Sequence, residues 1–255
     1  MCSHYEGVRD AQVLRKVFQV EPPANTGKSD LWPGYPGLLI RRPKEKDSGD
    51  DAVPDREALP GLFGLVPHWA TDLKICRSTY NARSETVATK PSFREAWKRA
   101  QHCIIPAQAI YEPDWRSGKA IPTRIERSDG RPMGIAGLWS AWKSPQGDWV
   151  HSYTMLTTNA DTHPLMNQFH KPTDEKRMVV VLPESVYDEW LVATAERSKQ
   201  FLAPFAAEGL RVGVNEIEGG WETGLQRLEP VSTGRQAHAD CHEAAEGHGN
   251  RRWSV

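Results

Sequence analysis

Apolar positions along this chain repeat at two periods. Between Asp10 and Phe18, the residues Val13, Leu14, Val17 and Phe18 fall on one side of a helical wheel, which predicts an amphipathic helix. Ser92-Phe-Arg-Glu95 has the form of a capping box, with serine at the N-cap and glutamate three residues on. It predicts a helix to about Gln101, with Phe93 and Trp97 buried and Arg94, Lys98 and Arg99 turned away. A third helix is expected from Pro183, with Val186, Trp190 and Leu191 on one face. Elsewhere the apolar runs are short. Residues 38–40, 62–66, 103–106, 109–111, 134–142, 149–157 and 178–182 read as strands, with a break between 106 and 109. Residues 124–133 read as a hairpin around Asp129-Gly130. Residues 27–37 are turn-rich, and the charged segment 41–55, with Pro43 and Pro54, reads as an exposed loop. Many strands and few helices predict an α+β fold: a single domain with a curved, barrel-like, mainly antiparallel β core and peripheral helices. After about Thr233 the chain turns polar and rich in Gly, His and Glu, so residues 234–255 are expected to form a disordered tail behind a domain spanning 1–233.

Composition narrows the function classes. The 255 residues are 38% hydrophobic and 25% charged, enough for a full core. A net charge of −1 supplies no global field for nucleic acid, so any DNA contact must come from a local patch. Cys2, Cys76, Cys103 and Cys241 are scattered, with no zinc-like spacing, and His238, His242 and His248 in the tail add none. No metal and no cofactor is expected. The chain opens without a secretory pattern and holds no run long and apolar enough for a membrane helix, so a cytoplasmic protein is expected; a monomer is expected as well.

The candidate chemistry starts at Cys2. Removal of Met1 is expected, because the next residue is small, and it would leave an amine and a thiol on one residue. Their reference pKa values are about 7.7–8.0 and about 8.5. Such an aminothiol condenses with an aldehyde to an imine, which the neighbouring sulfur closes to a thiazolidine. Three further stretches combine reactive groups with flanking strands. Residues 80–86 hold Asn81, a neutral donor and acceptor, and Arg83, a fork for phosphate; they also read as a solvated loop capped by Asn81. Glu112 ends an apolar run before a proline, where a partly buried carboxyl can act as acid or base; a surface carboxylate is the plainer reading. His170 lies in a charged loop before a strand, where it could shuttle protons or do nothing.

Taken in order, Met-Cys at 1–2, Asn-Ala-Arg-Ser-Glu-Thr at 81–86, Tyr-Glu at 111–112 and Phe-His-Lys-Pro…Arg-Met at 169–178 resemble the SRAP family (SOS response-associated peptidase). The resemblance runs from Cys2 to about Val231, and the segment at 81–86 is its most specific part. It implies a single α+β fold with a DNA groove, and covalent trapping of abasic sites in single-stranded DNA through the N-terminal cysteine. By the same resemblance, Cys2 is the nucleophile and Asn81 holds it and the ring-opened sugar. Glu112 handles protons on the amine and imine, and His170 assists ring opening. Arg83 contacts phosphate, Thr157 lines the site, and Pro36 and Trp69 stack on bases flanking the lesion. Lys90 and Arg177 are expected among the local cations that form a phosphate patch, giving salt-dependent binding.

The sequence departs from the family pattern in three places. Ser3-His4 replaces a common Gly-Arg, Glu112-Pro113 replaces a frequent Glu-Trp, and residues 171–176 lengthen the segment between His170 and Arg177. These departures bear on grip of DNA more than on chemistry. Two other function classes stay open on the sequence: an N-terminal-cysteine peptidase that processes itself, and a non-covalent single-strand-binding module with an inert Cys2.

Overall fold

A computed structural model describes residues 2–213. Twelve strands form its sheet: β1 (His4–Gly7), β2 (Asp30–Leu31), β3 (Pro36–Arg41), β4 (Glu57–Phe63), β5 (Asn81–Arg83), β6 (His102–Asp114), β7 (Ile121–Arg127), β8 (Met133–Lys143), β9 (Trp149–Asn159), β10 (Arg177–Val179), β11 (Val181–Leu182) and β12 (Leu210–Val212). Five of them close into a barrel. β3 pairs antiparallel with β4 and β6, β6 with β8, and β8 with β9, while β9 runs parallel to β4. The expected curved, mainly antiparallel β core is therefore present.

Period-two alternation divides the core between two faces. Cys103, Ile105 and Ala107 of β6 pack in one cluster with Leu39, Ile135, Trp139, Tyr153 and Met155, and Cys2 and Tyr5 join them. Their strand neighbours Ile104, Ile40, Ala136, Leu138 and Leu156 belong to a second cluster, on the other face. The helices cover that second face: α1 (Ala11–Val13), which continues as a π-helical turn through Phe18, α2 (Arg94–Lys98) and α3 (Tyr187–Val192). Asp10 caps α1 by accepting from the N–H groups of Gln12 and Val13. Leu14 and Phe18, then Trp97, then Trp190 and Leu191 are the residues these helices bury, as their spacing predicts.

Three local expectations need correction. The residues at 124–133 do not form a hairpin. Gly130 does turn the chain with φ +73°, but β7 and β8 then pair with different halves of β6. Residues 110–114 of β6 face β7, and residues 102–107 face β8. The expected break near Pro106 is likewise absent, because β6 runs unbroken for 13 residues. Pro106 lacks an N–H, but its carbonyl still accepts from Val8 N–H at 3.1 Å, and the register of β1 shifts there to accommodate it. Ser92 does not cap α2, which starts later, behind Phe93, with no side-chain cap. The N–H groups of Phe93 and Arg94 go to the carbonyl of Lys90 instead. The tail predicted at 234–255 lies outside the described residues. No helix among those described is long and apolar enough to cross a membrane.

Candidate functional site

Cys2 leads into β1, whose antiparallel pairing sets His4 opposite Tyr111 of β6 and so brings the head of the chain beside Glu112. The cysteine is buried, and its thiol donates to the carbonyl of His4 at 3.3 Å. Asn81 Nδ2 donates to the Cys2 carbonyl at 2.6 Å. Asn81 is carried there by β5, which lies parallel to β9 with Asn81 opposite Met155. It is a buried strand residue, and the solvated-loop reading of residues 80–86 fails at this position. Its Oδ1 is buried with no hydrogen-bond partner among the described residues, leaving one acceptor for an incoming group.

Glu112 is fully buried near the end of β6, which overturns the surface-carboxylate reading. Its Oε2 lies 2.9 Å from His170 Nε2. His170 is set by its own N–H, which donates to the Pro113 carbonyl at 2.9 Å, and by the bridge between Phe169 and Asp114. Its φ of +63° is a left-handed conformation that a non-glycine residue holds only under such constraint. Lys176 Nζ reaches back to the carbonyls of His170 and Lys171.

Electrostatics separate the two reactive groups. Burial by itself would raise the Glu112 carboxyl, but the positive charge at the chain's amino terminus and the His170 hydrogen bond outweigh it, and the group is held below its ordinary value. Burial pushes the Cys2 thiol far up, and the negative charge of Glu112 adds to that. A carboxylate and a protonated thiol therefore sit side by side. Tyr80, to which the sequence assigned no role, borders the same place: burial raises its hydroxyl first, and the Cys2 and Glu112 charges raise it further.

The remaining expected residues fall into two groups. Thr157, on β9, is buried beside Arg177 of β10. Arg177 is 1% exposed, so it is not part of an open cationic patch, and that expectation is corrected. Its guanidinium donates to the Thr157 carbonyl at 2.8 Å, to Glu85 at 2.9 Å and to Glu175 at 2.6 Å. Arg83, also on β5, projects outward and meets Glu175 at 2.7 Å. Pro36, Trp69 and Lys90 lie on the surface, Trp69 with its indole N–H on the Pro91 carbonyl at 3.4 Å. The structure thus brings Cys2, Asn81, Glu112 and His170 together, with Thr157, Arg177 and Arg83 linked in a second cluster.

One group escaped the sequence reading. His4 is stacked between Trp32 and Tyr111, with ring centroids 4.1 Å away on each side, and its Nε2 bonds the Asp30 carboxylate. This packing pins the head of β1 two residues from Cys2. Aromatic residues at positions 32 and 111 were visible, but nothing in their spacing joins them. Among the described residues no group of three or more His, Cys, Asp or Glu side chains is placed to hold a metal ion.

Comparison with known proteins places this geometry in context. A family model described as SOS response associated peptidase (SRAP) matches residues 1–215. The abasic site processing protein YoqW of Bacillus subtilis is 38% identical over 130 residues, 51% of this chain and 54% of that protein. The abasic site processing protein HMCES of Mus musculus is 28% identical over 200 residues, 64% of this chain and 53% of that protein. The chain thus spans about half the length of these curated relatives. A crystal structure of a protein from Bordetella bronchiseptica superposes with a TM-score of 0.75 at 48% identity, covering 83% of this chain and 98% of that one. Another, from Bacteroides thetaiotaomicron, has a TM-score of 0.67 at 20% identity over 84% of this chain and 93% of that one, and shares the fold.

Proposed function

The chain belongs to the SOS response associated peptidase (SRAP) family, and from that premise we propose that it processes abasic sites in single-stranded DNA by joining them covalently to Cys2. The relatives named for abasic site processing support the substrate. The observation that carries the chemistry is the convergence on Cys2 of Asn81, which holds its carbonyl at 2.6 Å, and of the Glu112–His170 pair.

The steps follow from what each group can do. Once Met1 is removed, the Cys2 amine adds to the C1′ aldehyde of the ring-opened sugar. His170 is suited to move a proton to the ring oxygen as the sugar opens. Loss of water from the adduct leaves an imine, with Glu112 placed to take and return the proton on nitrogen. The thiol then adds to the imine carbon, its proton passes to the nitrogen, and a thiazolidine closes. Sulfur and imine carbon belong to one molecule at that point, so closure proceeds at very high effective molarity and outruns hydrolysis. A protonated thiol suits this order, in which nitrogen attacks first.

Incubation with single-stranded DNA carrying one abasic site is expected to give a heat-stable conjugate on a denaturing gel, from protein whose intact mass shows loss of one methionine. Cys2→Ala should give none. An equal yield from Cys2→Ala would sink the proposal and point to an ordinary lysine imine.

A further inference from the structure

Three donors from separate segments converge on one carboxylate at the edge of the site. Glu175 Oε2 accepts from Arg83 Nη1 at 2.7 Å. Glu175 Oε1 accepts from Arg177 Nη1 at 2.6 Å and from Asn159 Nδ2 at 3.3 Å. Two guanidinium groups, each through one Nη, and an amide that also donates to Asp161 at 2.8 Å meet these two oxygens, surroundings that suit a phosphodiester oxygen pair as well. The carboxylate belongs to the same molecule, in the segment at 171–176 that follows His170. Arg83 lies two residues after Asn81 on β5, so the cradle borders the place where a strand held at Cys2 would run.

Charge and exposure favour exchange. Arg177 has a second carboxylate, Glu85, which stays on it through two contacts at 2.9 and 3.3 Å. Arg83, Arg177 and Lys176 against Glu85, Glu175 and Asp161 balance to zero, and departure of Glu175 leaves one positive charge for one phosphate. The side chains of Arg83 and Glu175 are 46% and 35% exposed, so their contact is solvent-screened and readily swapped for another anion. Arg177, by contrast, can meet an outside anion only when Glu175 moves.

We propose that Glu175 is a resident competitor at the phosphate contacts that the family resemblance assigns to Arg83 and Arg177, and that a bound single strand must displace it. This rests on the reading that the protein binds single-stranded DNA at Cys2. Glu175 sets how tightly undamaged DNA is held, so the protein grips weakly until a lesion adds its covalent bond.

The test compares Glu175→Gln with Asp174→Asn, both by equilibrium binding of an undamaged single-stranded oligonucleotide across a salt series. Asp174 is its exposed neighbour, bonds no arginine among the described residues and carries the same charge. Glu175→Gln is expected to tighten binding about tenfold at low salt and to steepen the dependence of log K on log salt by about 0.7, the increment for one more phosphate contact on a single strand. Asp174→Asn should stay within about twofold of the parent. Adding Arg83→Gln to Glu175→Gln should cancel the gain, which separates release of Arg83 from a general change in field. Equal gains from the two acidic substitutions, no gain, or no binding by any of these proteins overturns the proposal. Conjugate formation with abasic DNA, measured alongside, reports separately on Cys2: loss of that product with the binding pattern intact faults the chemistry and spares the subsite.

Discussion

Glu112 keeps its charge in a place where a lone carboxyl would be neutral, because the protein surrounds it with positive charge and a histidine N–H rather than with water. Its folded pKa is lower than the ordinary 4.5, so folding favours the carboxylate. The stability it contributes is complete above that ordinary value and disappears as pH falls through the lowered one. Glu112→Gln should therefore remove a stability difference that is full near neutral pH and fades on acidification. Urea unfolding of both proteins from pH 7 to 3 checks this, and a pH-independent gap would refute it. Breaking a buried pair by removing one partner costs about 3–5 kcal/mol, against about 0–1 kcal/mol for a surface pair. His170–Glu112 belongs to the first kind, with side chains 7% and 1% exposed, and Arg83–Glu175 to the second. That contrast explains why one pair can hold the site in shape while the other can yield to a ligand. The full burial of Glu112 and of Arg177 was not legible in the sequence for one reason: burial of a charge depends on partners far along the chain, here His170 for Glu112 and Glu85 for Arg177.

Short elements do most of the positioning. β5 is three residues long, yet it sets Asn81 and Arg83 on one face and Ala82, in the second core cluster, on the other, because side chains alternate along a strand and β9 fixes its register. The unbroken β6 carries Glu112 at one end and the barrel core at the other, so movement of that strand would disturb both. α1 depends more on its cap than on length. Asp10→Ala removes acceptors for two backbone N–H groups and should cost about 1 kcal/mol. Thermal unfolding followed by circular dichroism should show a midpoint lowered by a few degrees, with conjugate formation at 25 °C unchanged. Helix-forming spacing was legible at Val13, Leu14, Val17 and Phe18 because those contacts are local. The pairing of β7 and β8 was not, since Asp129-Gly130 specifies a turn and leaves the partner of each following strand open.

Across the whole molecule, the four central residues come from the segment before β1, from β5, from β6 and from the loop before β10, and no two of them are close in sequence. Such a site exists only when the barrel is closed. Loss of conjugate-forming capacity in urea should accordingly coincide with loss of native tryptophan fluorescence; activity lost well before the fluorescence change would mean the site opens by itself. Both core clusters share β3, β6, β8 and β9, one on each face, which makes the sheet a single cooperative body among the described residues. The sequence by itself determined the class of fold, the helical faces, the two-sided alternation of the strands and the identity of the reactive side chains, because these follow from local periodicity and from intrinsic chemistry. Only the tertiary structure decided that Asn81 grips the backbone of Cys2, that Glu112 is ionised against His170, and that Glu175 occupies the arginines beside them. Those outcomes depend on distance and solvent exclusion between segments tens of residues apart, and neither quantity is written in the order of the amino acids.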